Sequence, residues 1–428
     1  MRVAVIGAGI VGVTTAHELS ADGHEVTVFE RNGAVAAETS FANAGVLAPG
    51  YVTPWAAPGM TAKVLKQLWQ PHAAVRFGGW NAFAQLPWLW RWFRACRREV
   101  YLRNRTAMQA LAHHSRERLQ TLAAELRLDY ERADGYLVLL RSEREARAAQ
   151  PGIALLGELG VAHALVDAAQ ARRIEPGLNE ATALHAAIHL PHDGVGNCRL
   201  FAHLLKAESQ RRGVDYRFDR DVQRIEAKAG GISLAVSRER HDGDTRVEDP
   251  RPFDAAVVCG GVRSARVLAP LKVRLPIAPV YGYSVTAPLR QHESHAHIGP
   301  RSALMDERYK VAVSRLGQRV RVAGSAEIGG RPGAHNPKAL ATLYRVLDDW
   351  FPGAAVMAQA QVWKGARPML PDGPPIVGAS GVPGVWLNLG HGSSGWALSC
   401  GSARVLADQM AGRAPAIDAA GLQLARLH

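Results

Sequence analysis

The chain has 428 residues, of which 47% are hydrophobic and 21% charged, a composition that excludes wholesale disorder and predicts a globular protein with room for two domains. The formal net charge of +13 predicts an electropositive surface. No nucleic-acid-binding motif accompanies this charge, so we expect no nucleic-acid partner; an anionic membrane face, or an anionic substrate and cofactor, explains it at least as well.

The four cysteines are widely separated, at positions 96, 198, 259 and 400, and no C-x-x-C pair occurs. This spacing argues against a metal site or a disulfide scaffold and favours a reducing compartment. We therefore expect no bound metal. Since no apolar run approaches the length of a membrane span, we expect a soluble or peripheral protein.

The first predicted elements are a strand, a glycine turn and a helix. A short apolar run at 3–6 leads directly into Gly7-x-Gly9-x-x-Gly12 and a helical segment. The first glycine permits a tight turn, the second lets the backbone approach a pyrophosphate, and the third allows the helix to pack closely on the strand. The helix points its positive dipole end at the phosphates. This order predicts a dinucleotide site; the alternative is a tight turn that binds nothing.

An acidic residue ends the next predicted strand, at 24–30. Glu30 follows the glycines by about twenty residues, where a carboxylate can accept both hydroxyls of an adenosine ribose. Residues 38–50 are rich in small residues and turn formers. We expect them to form a buried loop that crosses above the strand ends, beside the second half of the cofactor; the alternative is a plain surface loop.

Residues 52–105 differ in character from the rest of the chain. They contain six tryptophans and a run of arginines, namely Trp55, Trp69, Trp80, Trp88, Trp90 and Trp92, with Arg91, Arg94, Arg97 and Arg98. Aromatic rings beside arginines suit the level of lipid headgroups. The alternative is a helical subdomain that packs its tryptophans inward and exposes an arginine face.

Later segments return to the ligand-binding end of the first sheet. Residues 253–259 are predicted to form a buried strand that opens into Gly260 and Gly261. Ligands bind at such carboxyl ends in open α/β sheets. Residues 275–351 alternate like a sheet and end in a helix. A strand at 385–389, a turn at 390–395 and a final helix then complete the chain.

Several motifs, in collinear order over nearly the whole chain, resemble the small, FAD-bearing subunit of bacterial D-amino acid dehydrogenase, within the D-amino acid oxidase and glycine oxidase family. Besides the glycine fingerprint and Glu30-Arg31, they are Ser-Phe-Ala-Asn-Ala-Gly at 40–45, Pro-Trp-Ala-Ala-Pro-Gly at 54–59, Asp-Glu-Arg-Tyr-Lys-Val at 306–311, Ala-Glu-Ile at 326–328, Gly-Ala-Arg-Pro-Met-Leu-Pro-Asp-Gly at 365–373 and Trp-Leu-Asn-Leu-Gly-His-Gly at 386–392.

The resemblance implies an α/β fold with an α+β substrate part: a Rossmann-like FAD-binding domain interleaved with a substrate domain built on an antiparallel sheet. We expect the FAD-binding domain at 1–51, 191–274 and 362–428. The substrate domain is expected at 52–190 and 275–361, with the helical Trp/Arg-rich segment at about 60–105.

The implied cofactor is FAD, and a single fingerprint leaves no second Rossmann site for a separate hydride carrier. The turn at 390–395 would stabilise negative charge at the flavin N1 and O2 edge with backbone amides and a helix N-terminus. The residues predicted to contact the cofactor are Gly7, Gly9, Ile10, Val11, Gly12, Glu30, Arg31, Ser40, Asn43, Ala44, Gly45, Val222, Gly260, Gly261, Arg367, Gly390, His391, Gly392, Ser393, Ser394 and Gly395.

The resemblance also implies the chemistry: hydride transfer from Cα of a D-amino acid to flavin N5, giving a 2-oxo acid and ammonia after hydrolysis. Arg367 is expected to grip the substrate carboxylate with its planar fork, helped by Tyr309. Tyr283 and His391 complete the predicted catalytic set, although His391 is better explained as shaping the flavin loop than as a base. Tyr281 stands where the family tends to have Lys, which leaves the favoured side chain open.

The implied partners are a quinone or other electron acceptor and, as an open question, further subunits. We expect a cytoplasmic protein that is soluble or peripheral on the inner face of the bacterial inner membrane. Three alternatives stay open: a flavin oxidase or dehydrogenase of glycine, sarcosine or another secondary amine, an enzyme for cyclic substrates such as D-proline or a hydroxyproline, and a non-catalytic FAD-binding subunit of a complex.

Overall fold

A computed structural model of the chain describes residues 1–67, 70, 72–228, 230–238, 245–247, 252–290 and 298–427; Trp69, predicted to belong to the Trp/Arg-rich segment, lies outside these ranges. The strands, in chain order, are β1 (Arg2–Ile6), β2 (Glu25–Phe29), β3 (Val46–Leu47), β4 (Val75–Phe77), β5 (Ala133–Leu140), β6 (Ala164–Asp167), β7 (Ala186–Val195), β8 (Asp215–Arg217), β9 (Arg220–Lys228), β10 (Gly231–Arg238), β11 (Thr245–Val247), β12 (Ala255–Val258), β13 (Ala278–Pro288), β14 (Ala303–Asp306), β15 (Val311–Leu316), β16 (Arg319–Ile328), β17 (Gln361–Met369), β18 (Ile376–Ala379) and β19 (Val385–Leu389). The α-helices are α1 (Ile10–Ala21), α2 (Met60–Gln67), α3 (Leu86–Ala95), α4 (Arg98–Glu125), α5 (Glu143–Glu158), α6 (Ala168–Ile174), α7 (Cys198–Arg211), α8 (Ser264–Leu268), α9 (Pro337–Trp350) and α10 (Gly395–Met410).

The first sheet has the order β18-β19-β12-β1-β2-β8, parallel throughout except for β18 at one edge. Successive β1 residues pack on opposite faces of the sheet, because side chains alternate across a strand. Val3 and Val5 pack against the helices α1, α4, α7 and α10. Ala4 and Ile6 pack on the other side, against a three-stranded sheet of β9, β10 and β11. Apolar residues on both faces of β1 are what a fully covered parallel strand requires.

The second sheet is larger and mostly antiparallel, in the order β17-β13-β16-β15-β14-β5-β7-β3, with β4 added beside β16 and β6 beside β7. Helix α9 covers one of its faces and buries Leu343, Val346 and Trp350 against it. The loop at 39–45 is hydrogen-bonded to the opposite face.

The segments that form each sheet differ from those assigned by the predicted domain boundaries. Strands β3, β7 and β17 all belong to the large sheet, although residues 46–47, 191–195 and 362–369 were expected in the cofactor domain. Helix α4, expected in the substrate domain, packs against α10 in the helical layer of the first sheet. Its periodicity marks an apolar face, but only the tertiary structure decides which layer that face covers.

The Trp/Arg-rich segment is two-sided where it is described. Trp88 and Trp92 of α3 are buried and pack against Trp55, whereas Trp90 is 62% exposed and stacks on the exposed ring of Phe93. The inward-packing alternative therefore holds for one face of α3. Within the ranges described, no helix combines the length and apolar composition needed to cross a membrane.

Candidate functional site

A cleft opens at the carboxyl ends of the parallel strands, the usual ligand position in this class of sheet. Gly9 and Gly392, from opposite ends of the chain, both line it. Gly260 and Gly261, which follow β12, form a third wall. The two glycine-rich turns and the strand end predicted from the sequence therefore meet at one site.

The three fingerprint glycines have different structural roles. Gly7 has a φ of +102°, and a Cβ there would lie 2.8 Å from the carbonyl oxygen of Cys259. A Cβ on Gly12 would lie 1.8 Å from the Gly7 carbonyl oxygen, so this glycine permits the helix to pack on the turn. At Gly9 the nearest atom to such a Cβ is Ser40 Oγ, at 3.5 Å. Gly9 is thus not required by packing, and the space beside it belongs to the cleft.

The first helix begins at this turn, and its first two residues, Ile10 and Val11, line the cleft. The amide of Ile10 donates to Ser40 Oγ at 3.0 Å, so the loop at 39–45 supplies a partner that the helix cannot provide for itself. A helix N-terminus with a glycine turn favours phosphate through its amide donors and its dipole.

Glu30 is held rigidly at the end of β2 and is only 8% exposed. Its Oε2 accepts the amide of Ala8 at 2.7 Å, while its Oε1 accepts the amide and the side-chain Nδ2 of Asn32 at 2.9 and 2.7 Å. Burial raises the pKa of the Glu30 carboxyl. Arg31, next along the chain, forms an ion pair with Glu38, and both line the cleft.

The second turn has the strained backbone that glycine tolerates. Gly390 and Gly392 have φ values of +79° and +57°, and Cβ atoms there would meet Leu370 at 2.4 Å and Met369 at 2.7 Å. The turn leads into α10, whose first residue, Gly395, also lines the cleft. A second helix N-terminus therefore faces the same space.

His391 is buried within this turn, with 3% of its surface exposed. Its Nε2 lies 2.9 Å from Ser402 Oγ on α10. Burial lowers the pKa of its imidazole to about 3, so the ring stays neutral at physiological pH. These contacts favour the loop-shaping role of His391 over that of a general base.

The loop at 39–45 is fastened to the large sheet by four hydrogen bonds to or from its backbone and side chains. Ser284 Oγ donates to the carbonyl of Ala42 at 2.8 Å, and Arg321 donates to the carbonyl of Asn43 at 2.9 Å. Ser314 Oγ donates to the carbonyl of Ala44 at 2.7 Å, and Thr39 Oγ1 donates to a carbonyl of β17. The predicted buried loop therefore exists, and it joins the cofactor cleft to the sheet face beyond it.

Arg367 lies on that sheet face, one residue before Pro368, which lines the cleft. Its guanidinium is half-buried and donates from Nη1 to the carbonyl oxygen of Ser325 at 2.8 Å. Burial lowers the pKa of Arg367 to about 10, so the group stays charged at physiological pH. Among the residues that the structure describes, no carboxylate forms an ion pair with it.

The structure corrects the placement of the two predicted catalytic tyrosines. Tyr283 donates to Glu327 Oε2 at 2.5 Å and packs under α9, on the sheet face opposite Gly282 and Arg367. Tyr309, in the turn after β14, packs against that same layer, with the guanidinium of Arg141 5.2 Å from its ring centre. Alternation along a strand sends neighbours to opposite faces, and the sequence motif alone does not say which face a residue joins.

Most of the predicted cofactor residues line the cleft, namely Gly7, Gly9, Ile10, Val11, Glu30, Arg31, Ser40, Val222, Gly260, Gly261, Gly390, His391, Gly392 and Gly395. The others do not line it, namely Gly12, Asn43, Ala44, Gly45, Arg367, Ser393 and Ser394. The cleft also includes residues that were missed, among them Asn32, Asp221, Arg263 and Asn388. Asp221 and Arg263 form a 2.7 Å ion pair. Their closeness in sequence to the predicted cofactor residues Val222 and Gly261 is the signal that could have identified them.

A parallel sheet with a glycine turn, a buried acid after its second strand and a second helix N-terminus at the same cleft defines a dinucleotide-binding protein of the flavoprotein type. The family model for FAD dependent oxidoreductases (DAO) matches residues 2–409. The chain belongs to this family. It is an FAD-dependent oxidoreductase, as the resemblance implied, and the predicted fold class is also confirmed.

Curated relatives match the whole chain. A D-amino acid dehydrogenase of Cereibacter sphaeroides is 41% identical over 428 residues, spanning 100% of this chain and 95% of the relative. A D-amino acid dehydrogenase of Chromohalobacter salexigens is 41% identical over 429 residues, spanning 100% and 99%.

Solved structures share the fold. Glycine oxidase from Geobacillus kaustophilus aligns with a TM-score of 0.75 at 21% identity, over 99% of this chain and 98% of that one. L-alpha-glycerophosphate oxidase from Mycoplasma pneumoniae, solved with FAD bound, aligns with a TM-score of 0.66 at 18% identity, over 96% and 94%.

The residues present fit FAD. The open space beside Gly9 suits a pyrophosphate, and the Glu30 carboxylate suits a ribose. The amide-rich turn at 390–395 suits the flavin edge, where negative charge accumulates on reduction.

Proposed function

We propose that the protein is a D-amino acid dehydrogenase that converts D-amino acids to 2-oxo acids and ammonia. The observation that carries the proposal is Arg367, a half-buried guanidinium without an acidic partner among the described residues, beside the wall of the FAD cleft. A desolvated cation of this kind needs a counter-ion, and a planar carboxylate matches its fork. The two relatives of 41% identity support an amino acid as the source of that carboxylate.

The chain's own residues bind and orient the substrate. Arg367 receives the carboxylate, and the Ser325 carbonyl holds one arm of its guanidinium. When bound, FAD supplies the hydride acceptor for the oxidation of Cα–H. Two electrons and two protons leave the amino acid, giving a 2-imino acid, and water then replaces the imino nitrogen to release ammonia. The remaining contribution of the protein is positioning, which can account for a large part of the rate.

No general base is assigned. His391 is buried, neutral and bonded to Ser402, and neither Tyr283 nor Tyr309 lies on the Arg367 face. The oxidation requires only that the substrate amine be neutral when the Cα–H bond is broken.

Anaerobic reduction of the purified holoenzyme tests the proposal. D-alanine and other D-amino acids should bleach the visible flavin absorbance within seconds, while the L-enantiomers should not. Absence of bleaching by every D- and L-amino acid, by glycine and by sarcosine would leave a non-catalytic FAD-binding subunit. Rapid peroxide formation under air, at the rate of dye reduction without oxygen, would instead indicate an oxidase.

We also propose that electrons pass to a quinone or similar acceptor at an anionic membrane surface, and that α3 contacts this surface. Exposed apolar side chains on and before α3, namely Phe83, Leu86, Trp90 and Phe93, adjoin the exposed arginines Arg91, Arg94, Arg97 and Arg98. The sequence has no Asp or Glu between Glu38 and Glu99. Apolar rings beside unopposed cations favour adsorption to anionic headgroups.

A further inference from the structure

We propose that Gly282 and Ser325 are positioning residues: together they set the orientation of the Arg367 guanidinium and thereby the affinity for the substrate carboxylate. The inference rests on the proposed role of Arg367 as the carboxylate anchor. Neither residue needs to touch the substrate, because each acts on the guanidinium alone.

A β-bulge in the large sheet brings the two residues to Arg367. Between β13 and β16 the register shifts, since Tyr281 pairs with Glu327 but Tyr283 pairs with Gly324. Gly282 therefore faces two residues of β16, Ser325 and Ala326. Such an extra residue leaves the ladder and redirects its backbone groups.

Ser325 carries the strained backbone of this bulge. Its φ is +63°, a region that residues with a Cβ seldom adopt. Its carbonyl oxygen leaves the ladder and accepts the Arg367 Nη1 at 2.8 Å. Strained backbone conformations of this kind concentrate at functional sites, where the surrounding structure maintains them.

Gly282 forms the floor beneath the guanidinium. A Cβ at this position would lie 2.3 Å from Nη2, 2.5 Å from Cζ and 2.7 Å from Nη1 of Arg367. The φ of Gly282 is not positive, so the glycine is required by the close approach of the arginine and not by its own conformation. Since ordinary contacts are longer than 3.4 Å, any larger residue moves the fork by about 1 Å.

These two contacts fix the orientation of the half-buried guanidinium. An arginine side chain has several rotatable bonds, and a two-pronged contact with a carboxylate demands one orientation of its plane. The flat approach over Gly282 sets the plane, and the Ser325 carbonyl sets the rotation within it. Among the residues that the structure describes, the guanidinium has no other hydrogen-bond partner than Ser325, so its remaining donors are available to the ligand and the anchor is preorganised.

The test is the affinity of FAD-loaded variants for propionate, a carboxylate that lacks the amine and cannot be oxidised by this route. Calorimetry gives its Kd, and steady-state kinetics with D-alanine give KM and kcat. We expect Gly282→Ala to raise both Kd and KM by at least about tenfold, the cost of one hydrogen bond to the carboxylate that the displaced fork no longer makes. Ser325→Val should raise both at least tenfold, because a β-branched residue does not keep a positive φ. Glycine adopts a positive φ freely, so the Ser325→Gly variant should retain most of the affinity that the Ser325→Val variant loses.

Two comparisons separate this inference from the proposed function and from general destabilisation. Lys272→Val places the same strain at an exposed turn with a φ of +60° away from the cleft, and should lower stability without changing Kd. Arg367→Ala should abolish propionate binding. If Arg367→Ala leaves Kd unchanged, the anchor itself is wrong. If it abolishes binding while Gly282→Ala and Ser325→Val bind propionate normally, only the positioning role is overturned.

Discussion

The carboxylate of Glu30 accepts a 2.7 Å hydrogen bond from the amide of Ala8, which ties the end of β2 to the glycine turn that follows β1. The same carboxylate also accepts two hydrogen bonds from Asn32. Its position is therefore determined by the protein before any ligand binds, and this preorganisation lowers the entropic cost of holding a ribose.

Replacing Glu30 should weaken the cofactor site. In Glu30→Gln the amide nitrogen must face either the Ala8 amide or the Asn32 donors, so one buried hydrogen bond is lost. We expect the Kd for FAD to rise at least tenfold, measured by titrating the apoprotein and following flavin fluorescence. Glu38→Gln is the matched control, since that carboxylate also lines the cleft but is much more exposed. Equal effects of the two substitutions would contradict a special role for Glu30.

Replacing two of the fingerprint glycines by alanine should have different effects, one on folding and the other on FAD binding. Gly12→Ala places a Cβ 1.8 Å from the Gly7 carbonyl oxygen, so the helix and strand must separate and the protein should misfold or lose several degrees in Tm. Gly9→Ala meets no atom closer than 3.5 Å. We expect it to fold normally by circular dichroism but to be purified with little FAD, because its methyl group enters the phosphate space. A Gly9→Ala protein with a full complement of FAD would place the pyrophosphate elsewhere.

Removing the hydroxyl of Tyr283 or of Tyr309 should have only a weak effect on the kinetics. Tyr309→Phe should leave KM for D-alanine within about twofold of wild type, because its ring packs beneath α9 and not beside Arg367. Tyr283→Phe should lower stability by about 1–2 kcal/mol, since it removes a hydrogen bond to the buried Glu327, again with little change in KM. The KM of the Arg367→Ala variant, measured in parallel, shows how large the effect is when the residue that binds the carboxylate is lost. A tenfold rise in KM for Tyr309→Phe would restore this residue to the substrate site.

Asp193 should make the protein less stable as pH rises through weakly acidic values. This carboxyl is 3% exposed and accepts the amide of Gly50 at 3.0 Å, and burial raises its pKa to about 7. The Asp193 carboxyl loses its proton near pH 4 in the unfolded chain and near pH 7 in the folded chain. Between these two values the carboxyl is protonated in the folded protein and ionised in the unfolded chain. The free energy of unfolding therefore falls with rising pH across this window, by up to about 4 kcal/mol.

The variant Asp193→Asn lacks this proton yet can still accept the Gly50 amide through its side-chain oxygen. Its Tm, compared with that of the wild type from pH 4.5 to 8, should show a smaller decline with pH. Parallel curves for the two proteins would indicate that Asp193 does not titrate in this range.

The α3 surface should respond to charge removal in a vesicle assay. Changing Arg91, Arg94, Arg97 and Arg98 to Ser should reduce cosedimentation with vesicles that contain anionic phosphatidylglycerol, because each cation near such a surface contributes about 1 kcal/mol. The matched control changes four arginines elsewhere to Ser, namely Arg144, Arg147, Arg173 and Arg212. Unchanged binding of the α3 variant, or equal loss in the control, would remove this surface from the membrane contact.

The local elements of the cofactor site could be predicted from the sequence because their determinants are local. A glycine turn requires glycines at set intervals, a parallel strand covered on both sides is continuously apolar, and an acid at its end is visible as a single letter. For these reasons the sequence predicts the turn at 7–12, Glu30 and the second turn at 390–395, and all three line the cleft.

The face of a sheet that each side chain joins depends on the packing of the whole molecule and cannot be predicted from the local sequence. A one-residue step along a strand moves a side chain to the other side of the sheet, and the bulge at Gly282 and Ser325 changes the step without a sequence signal. Tyr283 packs beneath α9, while Arg367, which pairs with Val280 on the neighbouring strand, lies on the opposite face. Helix α4 crossed to the layer of the first sheet for a similar reason, since an apolar stripe requires a partner but does not specify one.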